Sequence, residues 1–503
     1  MGLIVTLDLG ITLAKCVIYN DLGIAVSEAQ EEMQLKYPGP GMAEHPSEDF
    51  YKTSCVLIRK ALSNTKIDKG DIKCISADSQ MGGIVTIDKN FNPVTYFDSP
   101  LDNRASEENQ FINENFGDLV IKKNGAFSWF GQKILYWQKR KDIFKNIASF
   151  IPPSAFVSGK LTGLSGNDAY IDDVSLSLSG LSNLKEACWD EELIGLLNVD
   201  FARLPKIKRP IDIIGTITKK ASEDTGLPEG IPVAAGCGDI SAGFIGAGII
   251  SQGQMIDISG TGCMLGASVN EFKYDLNNKT LYCIKSPLND TYYLLSIVPT
   301  GKTHKWFVDE FFQEKKDELK DNIYKSLEKE MENINPGSDG LISINFLQGR
   351  YSPPDPNTKG LFIGHTWAHS KLHFLRSIME SMAYDHYLTK DIILELVPDL
   401  NFETITAIGS GAKSIFWMQL KSDILQIPYR NLIRSDSSSL GAAMVGGCAV
   451  GLFKDIEKTI KEFVKIKDEV SPIKDADKKY LKYIGIYKEL FGILHSTYAK
   501  LAN

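Results

Sequence analysis

Apolar and polar residues alternate at the start of the chain. Within residues 3–9 the polar residues Thr6 and Asp8 are each followed by a leucine, and an apolar run resumes at 15–19 after Gly10. A period of two residues is typical of a strand with one buried face, and glycine permits a tight turn. The pattern therefore predicts a strand, a tight turn and a second strand.

The same pattern returns near Gln254. A strand pattern ends in a second aspartate, Asp257, and the turn at 260–262 precedes another apolar run. Two copies, each opening one half of the chain, indicate duplication of a whole domain. Short strand patterns alternate elsewhere with amphipathic helix patterns, such as those at 49–62 and 373–388, which predicts an α/β fold. We expect one domain over residues 1–248 and a second, carrying the terminal helices, over 249–503.

Composition narrows the class of protein. Of the 503 residues, 43% are hydrophobic and 23% charged, and the formal net charge is −8. These values favour a globular chain and argue against a nucleic-acid-binding protein, which needs a basic face. No two of the eight cysteines form a C-x-x-C motif, so reduced thiols in a cytoplasmic protein are expected. The apolar run at 231–250 contains Asp239 and many glycines, which favours a buried core segment over a membrane span.

The two strand–turn–strand units suit a nucleotide triphosphate. Glycine lets backbone N–H groups approach phosphate oxygens, and Thr12 and Thr261 add hydroxyl donors. The aspartates at the strand ends, Asp8 and Asp257, are candidate ligands of Mg²⁺. Two ordinary hairpins with acidic ends are the alternative, and the pairing of the units at the start of each half weakens it.

Asp239 is the strongest single candidate for a catalytic residue. It lies in the segment GCGDISAG, between small and apolar residues. Partial desolvation there raises a carboxyl pKa towards the working range of a general base. The alternative is a helix N-cap, because aspartate caps well before a helix of small residues.

Three glycine-containing segments are compared with known nucleotide motifs. The segment that begins at Gly236 fails as a dinucleotide fingerprint, because Ser241 replaces its third glycine. The segment at 301–303 fails as a P-loop, because Ser296 stands where a glycine is needed. The turn at 409–414, between a strand and a helix pattern, presents backbone N–H groups suited to an adenine or a phosphate.

Taken together, these segments resemble the FGGY carbohydrate kinases, and the xylulokinase branch more than the glycerol kinase branch. The resemblance extends from Leu3 to about Phe453. It is carried by segments 7–23, 78–105, 236–248, 257–266, 409–428 and 437–447. It implies two RNase H-like domains of the actin–hexokinase superfold, with ATP and sugar meeting in an active-site cleft between them.

The resemblance also implies roles for individual residues. Asp239 is implied as the general base on the sugar hydroxyl, and Asp8 as the carboxylate associated with Mg²⁺. The implied ATP-binding residues are Thr12 and Lys15 in a first phosphate loop, Gly260, Thr261 and Gly262 in a second, Gly301 nearby, and Gly409, Gly411 and Ala412 in the adenosine pocket. The implied sugar-facing residues are Gln80, Met81, Asp102 and Arg104.

Four positions depart from the family pattern. Ile11 replaces a threonine of the first loop, and Ile240 replaces the amide residue that usually follows the catalytic aspartate. Gly82 replaces a histidine and Pro100 replaces a tryptophan in the sugar-facing segments. The sugar pocket is therefore expected to differ from that of the xylulokinases.

The expected activity is transfer of the γ-phosphoryl group of ATP to a sugar hydroxyl, with a ketopentose such as D-xylulose as the first-ranked acceptor. Gluconate, ribulose, glycerol and a tetritol are alternative acceptors. A catalytically silent ATP-binding scaffold is the alternative of another class, and a dehydrogenase is a third alternative. A small-molecule sugar is the expected partner, without nucleic acid or membrane, and a homodimer is compatible with the sequence.

Overall fold

The first half of the chain forms a mixed sheet around its N-terminal strand. The computed structural model describes residues 2–260, 262–298, 301–434 and 436–501. The strands of this half are Leu3–Leu9 (β1), Leu13–Asn20 (β2), Ala25–Glu32 (β3), Glu44–His45 (β4), Ile72–Ser79 (β5), Val85–Ile87 (β6), Phe97–Asp98 (β7), Ser149–Ile151 (β8), Tyr170–Asp172 (β9), Ser182–Asn183 (β10), Cys188–Trp189 (β11), Lys206–Lys208 (β12), Ile213–Thr216 (β13), Pro232–Ala234 (β14) and Cys237–Gly238 (β15). The main sheet has the order β13-β14-β5-β1-β2-β3, and β15 pairs with β5.

The same half contains eight α-helices within residues 2–248. They are Glu48–Ser63 (α1), Ser106–Asn124 (α2), Gly131–Lys139 (α3), Lys141–Phe144 (α4), Pro153–Thr162 (α5), Glu191–Leu196 (α6), Lys219–Thr225 (α7) and Asp239–Gly246 (α8). Of these, α1, α5 and α8 pack against the main sheet. The core between the sheet and the helices α1 and α5 includes Val5 and Leu7 of β1, together with Phe50 and Phe156. Alternation along β1 sends Thr6 and Asp8 to the opposite face.

The second half repeats this arrangement. Its strands are Met255–Ser259 (β16), Cys263–Val269 (β17), Tyr282–Lys285 (β18), Tyr292–Val298 (β19), Ile342–Ile344 (β20), Arg350–Tyr351 (β21), Pro354–Asp355 (β22), Leu361–Ile363 (β23), Ile405–Ile408 (β24), Tyr429–Leu432 (β25) and Ile466–Val470 (β26). The main sheet has the order β18-β19-β17-β16-β24-β25-β26. Its helices are Gly301–Phe311 (α9), Gln313–Leu319 (α10), Ile323–Met331 (α11), Lys371–Leu396 (α12), Ile415–Leu425 (α13), Ser437–Ala449 (α14), Ile456–Phe463 (α15) and Leu481–Leu501 (α16).

The two sheets share one pairing scheme. In the first, β1 pairs antiparallel with β2 and parallel with β5, and an antiparallel strand closes the far edge. In the second, β16 pairs antiparallel with β17 and parallel with β24, and β26 closes the edge in the same way. The duplicated α/β architecture predicted from the sequence is confirmed, with two domains each built on such a sheet.

One helix of the second half packs against the first sheet. The α14 helix lies on β1 and β5 and packs against α8. A Cβ atom on Gly441 would overlap the carbonyl oxygen of Ala242, and one on Gly246 would overlap the carbonyl oxygen of Ser437. Glycine is therefore needed at both positions for the helices to approach so closely. The boundary between residues 248 and 249 stays a prediction, and α14 joins the two halves.

No helix among the described residues has both the length and the apolar character needed to cross a membrane.

Candidate active site

Three aspartates come together where the central strands of the first sheet end. Asp8 on β1 and Asp78 on β5 are register partners on neighbouring parallel strands, so their side chains leave the same face. Asp239 is the first residue of α8 and follows β15, in which Cys237 is the register partner of Asp78. The structure thus brings the two predicted aspartates together and adds Asp78, which the sequence analysis did not single out.

Burial and the neighbouring carboxylates raise the pKa of each of these carboxyl groups. Burial first, and then the charge of Asp8, raises the pKa of Asp239 to about 8. Burial and Asp436 raise the pKa of Asp8 to about 6, against the opposing effects of Asp78 and Lys15. Burial and the neighbouring carboxylates hold the pKa of Asp78 well above its usual range. A raised pKa is what a carboxyl group needs to act as a base near neutral pH.

The backbone places Asp239 one residue past the N-cap position of α8. Gly238 holds the N-cap position of α8, and the Asp239 Oδ1 atom accepts a hydrogen bond from the adjacent Ile240 N–H at 2.8 Å. Backbone hydrogen bonds, including those from Ile240 and Met81, lower the pKa of Asp239, but burial outweighs them. The Ile240 departure keeps this contact, because the backbone supplies the donor.

The predicted first phosphate loop joins the two halves. Thr12 is exposed in the turn between β1 and β2. Lys15 lies opposite Asp8 on β2, and its Nζ atom is 2.6 Å from Asp436 Oδ2 at the start of α14. Asp436, 421 residues further along the chain, was not predicted. A phosphate group that reaches Lys15 has to compete with this carboxylate.

The second and third predicted nucleotide turns lie side by side. Gly260 and Gly262 flank the turn between β16 and β17, Thr261 lies outside the described residues, and Gly301 is the first residue of α9. A Cβ atom on Gly409, whose φ is +87°, would come 2.7 Å from the Ser259 carbonyl oxygen, and one on Gly411 would come 2.6 Å from Ser259 Cβ.

Glycine therefore lets the turn after β24 pack directly against the turn after β16. Ala412 is anchored there by a hydrogen bond from Asn431 Nδ2 to its carbonyl oxygen at 2.9 Å.

Asp257 is not available as a metal ligand, in contrast to the expectation from the sequence. It is fully buried, and its two oxygens accept hydrogen bonds from Lys421 Nζ at 2.6 Å and from Ser259 Oγ at 2.7 Å. Although burial raises the pKa of Asp257, the charge of Lys421, the neighbouring His386 and the hydrogen bonds from Lys421 and Ser259 together hold the pKa below the usual range. The two halves thus differ: Asp8 faces other carboxylates, whereas Asp257 has a dedicated cation.

Gln80 and Met81 connect the sugar-facing segment to the aspartates. Gln80 Nε2 lies 3.4 Å from the Gly10 carbonyl oxygen, and Gln80 Oε1 is buried without a hydrogen-bond partner among the described residues. Met81 packs against Gly238, where any Cβ atom would overlap its side chain. Both predicted residues therefore lie next to the cluster.

Asp102 and Arg104 form an ion pair with each other. Arg104 donates from Nε to Asp102 Oδ1 at 2.8 Å and from Nη2 to Asp102 Oδ2 at 2.7 Å, and it also pairs with Glu44. The carboxylate oxygens of Glu44, Asp98 and Asp102 lie within 4.8 Å of one another, and the Arg104 guanidinium group pairs with all three. Their geometry favours bracing of the loops over direct contact with a sugar.

Two further residues, Lys133 and Trp129, lie near the sugar-facing segment. Lys133 is 1% exposed and donates to three carbonyl oxygens, those of Gly82 at 3.0 Å, Asp98 at 3.4 Å and Ser99 at 2.5 Å. It therefore ties the turn after β5 to the segment after β7.

Trp129 is half-buried against Gly82, where a Cβ atom would come 3.0 Å from its ring. Tyr282 and Tyr351 of the second half contact the same indole, with ring centroids 6.0 and 6.2 Å away. For Lys133, a lysine within an apolar helix segment was the signal available in the sequence.

Comparison with known proteins gives one family for the whole arrangement. The model of the FGGY carbohydrate kinase N-terminal domain matches residues 3–246, and that of the C-terminal domain matches residues 258–450. A xylulose kinase of Staphylococcus epidermidis is 26% identical over 491 residues, covering 96% of this chain and 95% of its own.

Solved structures share the fold. A ligand-bound xylulose kinase from Lactobacillus acidophilus has a TM-score of 0.90 at 23% identity, covering all of both chains. A gluconate kinase from the same organism has a TM-score of 0.90 at 24% identity, covering 99% of each chain. The family matches, the paired sheets and the aspartates at their cleft lead to one conclusion: the chain belongs to the FGGY family of carbohydrate kinases, phosphotransferases that act on a sugar alcohol group.

Proposed function

We propose that this kinase transfers the γ-phosphoryl group of ATP, with Mg²⁺, to a hydroxyl of a ketopentose such as D-xylulose. The observation that carries the proposal is Asp239, a carboxyl group with a raised pKa that opens α8 beside Asp8. In this scheme residues 1–248 hold the sugar and residues 249–503 hold the nucleotide.

The proposed reaction is a single in-line displacement. The sugar hydroxyl oxygen bonds to the γ-phosphorus, the bond to the leaving oxygen of ADP breaks, and Asp239 accepts the hydroxyl proton. Lys15 balances charge on the transferring group, which requires its release from Asp436. The divalent cation, when bound, would neutralise charge on the phosphate oxygens, and Asp8 is the residue proposed to hold it.

The nucleotide is proposed to lie along the adjoining turns of the second half. Gly260, Gly262 and Gly301 would present backbone N–H groups to the phosphates, with Thr261 in the same loop. Gly409, Gly411 and Ala412 would border the adenosine. The close packing of the turn after β24 on Ser259 supports this placement, because it puts both turns on one surface.

Charge supports a neutral acceptor over a sugar acid. The cleft gathers the carboxylates Asp8, Asp78, Asp239 and Asp436, which repel an anionic substrate. The two buried cations of the sugar-facing segment, Arg104 and Lys133, are already paired with carboxylates and carbonyl oxygens. A ketopentose hydroxyl needs no such cation, and Gln80 Oε1 offers it an acceptor.

The pocket wall also differs from the family pattern in a defined way. Pro100 and Gly82 lack the aromatic and imidazole groups that the xylulokinase pattern has there. Trp129 packs against Gly82 and presents an aromatic surface at that position. We propose that Trp129 takes over as the apolar wall against the sugar carbons.

A panel assay tests the substrate proposal. ADP release is measured with ATP and D-xylulose, D-ribulose, glycerol, erythritol or D-gluconate, with Asp239→Asn as the inactive control. We expect kcat/KM for D-xylulose at least tenfold above that for D-gluconate. Activity on gluconate or glycerol alone would overturn the ketopentose assignment, and ATP binding without turnover of any acceptor would favour a silent scaffold.

A further inference from the structure

Asp78 is a buried carboxyl group that the proposed phosphoryl transfer does not use. It is the penultimate residue of β5 and has no exposed surface. Neither of its oxygens has a hydrogen-bond partner among the described residues. A buried polar group without a partner is costly, and an unpaired buried charge costs much more. Such a group points to a missing ligand.

The surroundings of Asp78 define what that ligand must be. Asp8 is its register partner on the neighbouring strand, and the charges of Asp8, Asp239 and Asp436 all raise the pKa of Asp78. Asp8 can satisfy Asp78 only by sharing a proton with it in a hydrogen bond between the two carboxyl groups. When both groups are ionised they have no donor between them and repel each other. Lys15, the cation across the hairpin from Asp8, is paired with Asp436. Two adjacent carboxylates with no fixed donor between them lack a positive charge.

The side chains share one face of the sheet. Ile4, Thr6 and Asp8 alternate on β1 as Cys74, Ser76 and Asp78 do on β5. This face is covered by α14, because a Cβ atom on Gly446 would come 2.9 Å from Ser76 Cβ and 3.2 Å from Ile4. Asp8 and Asp78 therefore lie at the ends of β1 and β5, on the side of the sheet where α8 begins at Asp239 and α14 at Ser437.

We propose that Asp78, together with Asp8, binds a divalent cation directly and without nucleotide. The inference rests on the proposed function of the cleft and adds a ligand to it. Carboxylate oxygens are hard ligands, which suit Mg²⁺ or Mn²⁺ and not softer metals. Two carboxylates give the cation an anchor on the protein before ATP arrives, whereas Asp8 alone would hold it only weakly.

Mn²⁺ titration of the nucleotide-free protein tests this. The probe is MnCl₂ alone, followed by electron paramagnetic resonance of free Mn²⁺ and by calorimetry. We expect one Mn²⁺ per chain, with at least tenfold weaker binding in both Asp78→Asn and Asp8→Asn. The matched control is Asp385→Asn, a buried aspartate of the second domain whose carboxylate accepts a hydrogen bond from Tyr487 at 2.9 Å, and it should bind as the wild type does.

Each outcome decides for or against the inference. Unchanged Mn²⁺ binding in Asp78→Asn, or wild-type binding that appears only after ATP is added, would overturn it. Mn²⁺ should also raise the thermal unfolding temperature of the wild type and not that of Asp78→Asn. If that variant fails to fold, the nucleotide-free titration of the wild type still decides. If Mn²⁺ binds without nucleotide but the protein phosphorylates no sugar, the proposed substrate is wrong and the proposed cation site is still supported.

Discussion

Replacing Asp239 by asparagine should inactivate the enzyme and stabilise it at the same time. The substitution keeps the size and the oxygen that Ile240 N–H contacts, and it removes the ability to take a proton. Loss of a positioned base lowers the rate by about 10²–10⁴-fold. ATP binding should persist, because Asp239 is proposed to act on the sugar.

The gain in stability follows from the raised pKa. The pKa of Asp239 is about 8 in the folded protein, against 3.8 for an unperturbed group. Between these values the folded state holds a proton that the unfolded state has lost, so the free energy of unfolding falls as pH rises. At pH 7, about three pH units above 3.8, this penalty reaches about 4 kcal/mol at about 1.4 kcal/mol for each pH unit. Asparagine does not ionise, so the Asp239→Asn variant does not carry this penalty.

The assay is urea unfolding of the wild type and Asp239→Asn at two pH values. We expect the free energy of unfolding of the variant to exceed that of the wild type by up to about 4 kcal/mol at pH 7 and by less than about 2 kcal/mol at pH 5. The difference is smaller at pH 5 because this pH is closer to the pKa of the carboxyl group in the unfolded chain. Asp68→Asn is the control, because Asp68 is exposed and asparagine also serves as a cap. A variant that is less stable at pH 7, or equally stabilised at both pH values, would refute the raised pKa. Near wild-type turnover would refute the role as base.

Three further substitutions test the remaining contacts. Lys133→Met should raise the KM for sugar at least tenfold with little change in the KM for ATP, and a change in the KM for ATP alone would contradict this. The substitution should also lower the free energy of unfolding by about 1–3 kcal/mol, because three buried carbonyl oxygens lose their donor. Asp436→Asn should lower the KM for ATP by about 2–5-fold in steady-state kinetics, because Lys15 is released from a partly exposed pair; a raised KM would show that Asp436 assists nucleotide binding. Lys421→Met should destabilise the protein by about 3–5 kcal/mol in urea, since Asp257 would be left charged and buried, and Asp257→Asn added to it should restore part of the loss.

Short-range sequence patterns are enough to predict the repeated strand–turn–strand units. Period-two alternation and a glycine turn identify a strand pair without reference to the rest of the chain, so the units at Leu3 and Gln254 and the duplicated domain were predictable. The order of the motifs indicated the family, and the family pattern singled out Asp8 and Asp239 as candidate site residues. These features are local because neighbouring residues fix a strand or a turn.

The partners of the charged side chains depend on how distant elements pack together. Asp8 and Asp257 end similar strand patterns, yet one faces Asp78 and the other is neutralised by Lys421. Parallel pairing brings Asp8 to Asp78, and packing of α14 on the first sheet brings Asp436 to Lys15 across 421 residues. A periodic pattern specifies which face of an element is buried, but not which distant element covers it. Whether a carboxylate is a base, a cation ligand or half of an ion pair depends on that covering element, because the pKa and the free ligand positions are set by its charges and donors.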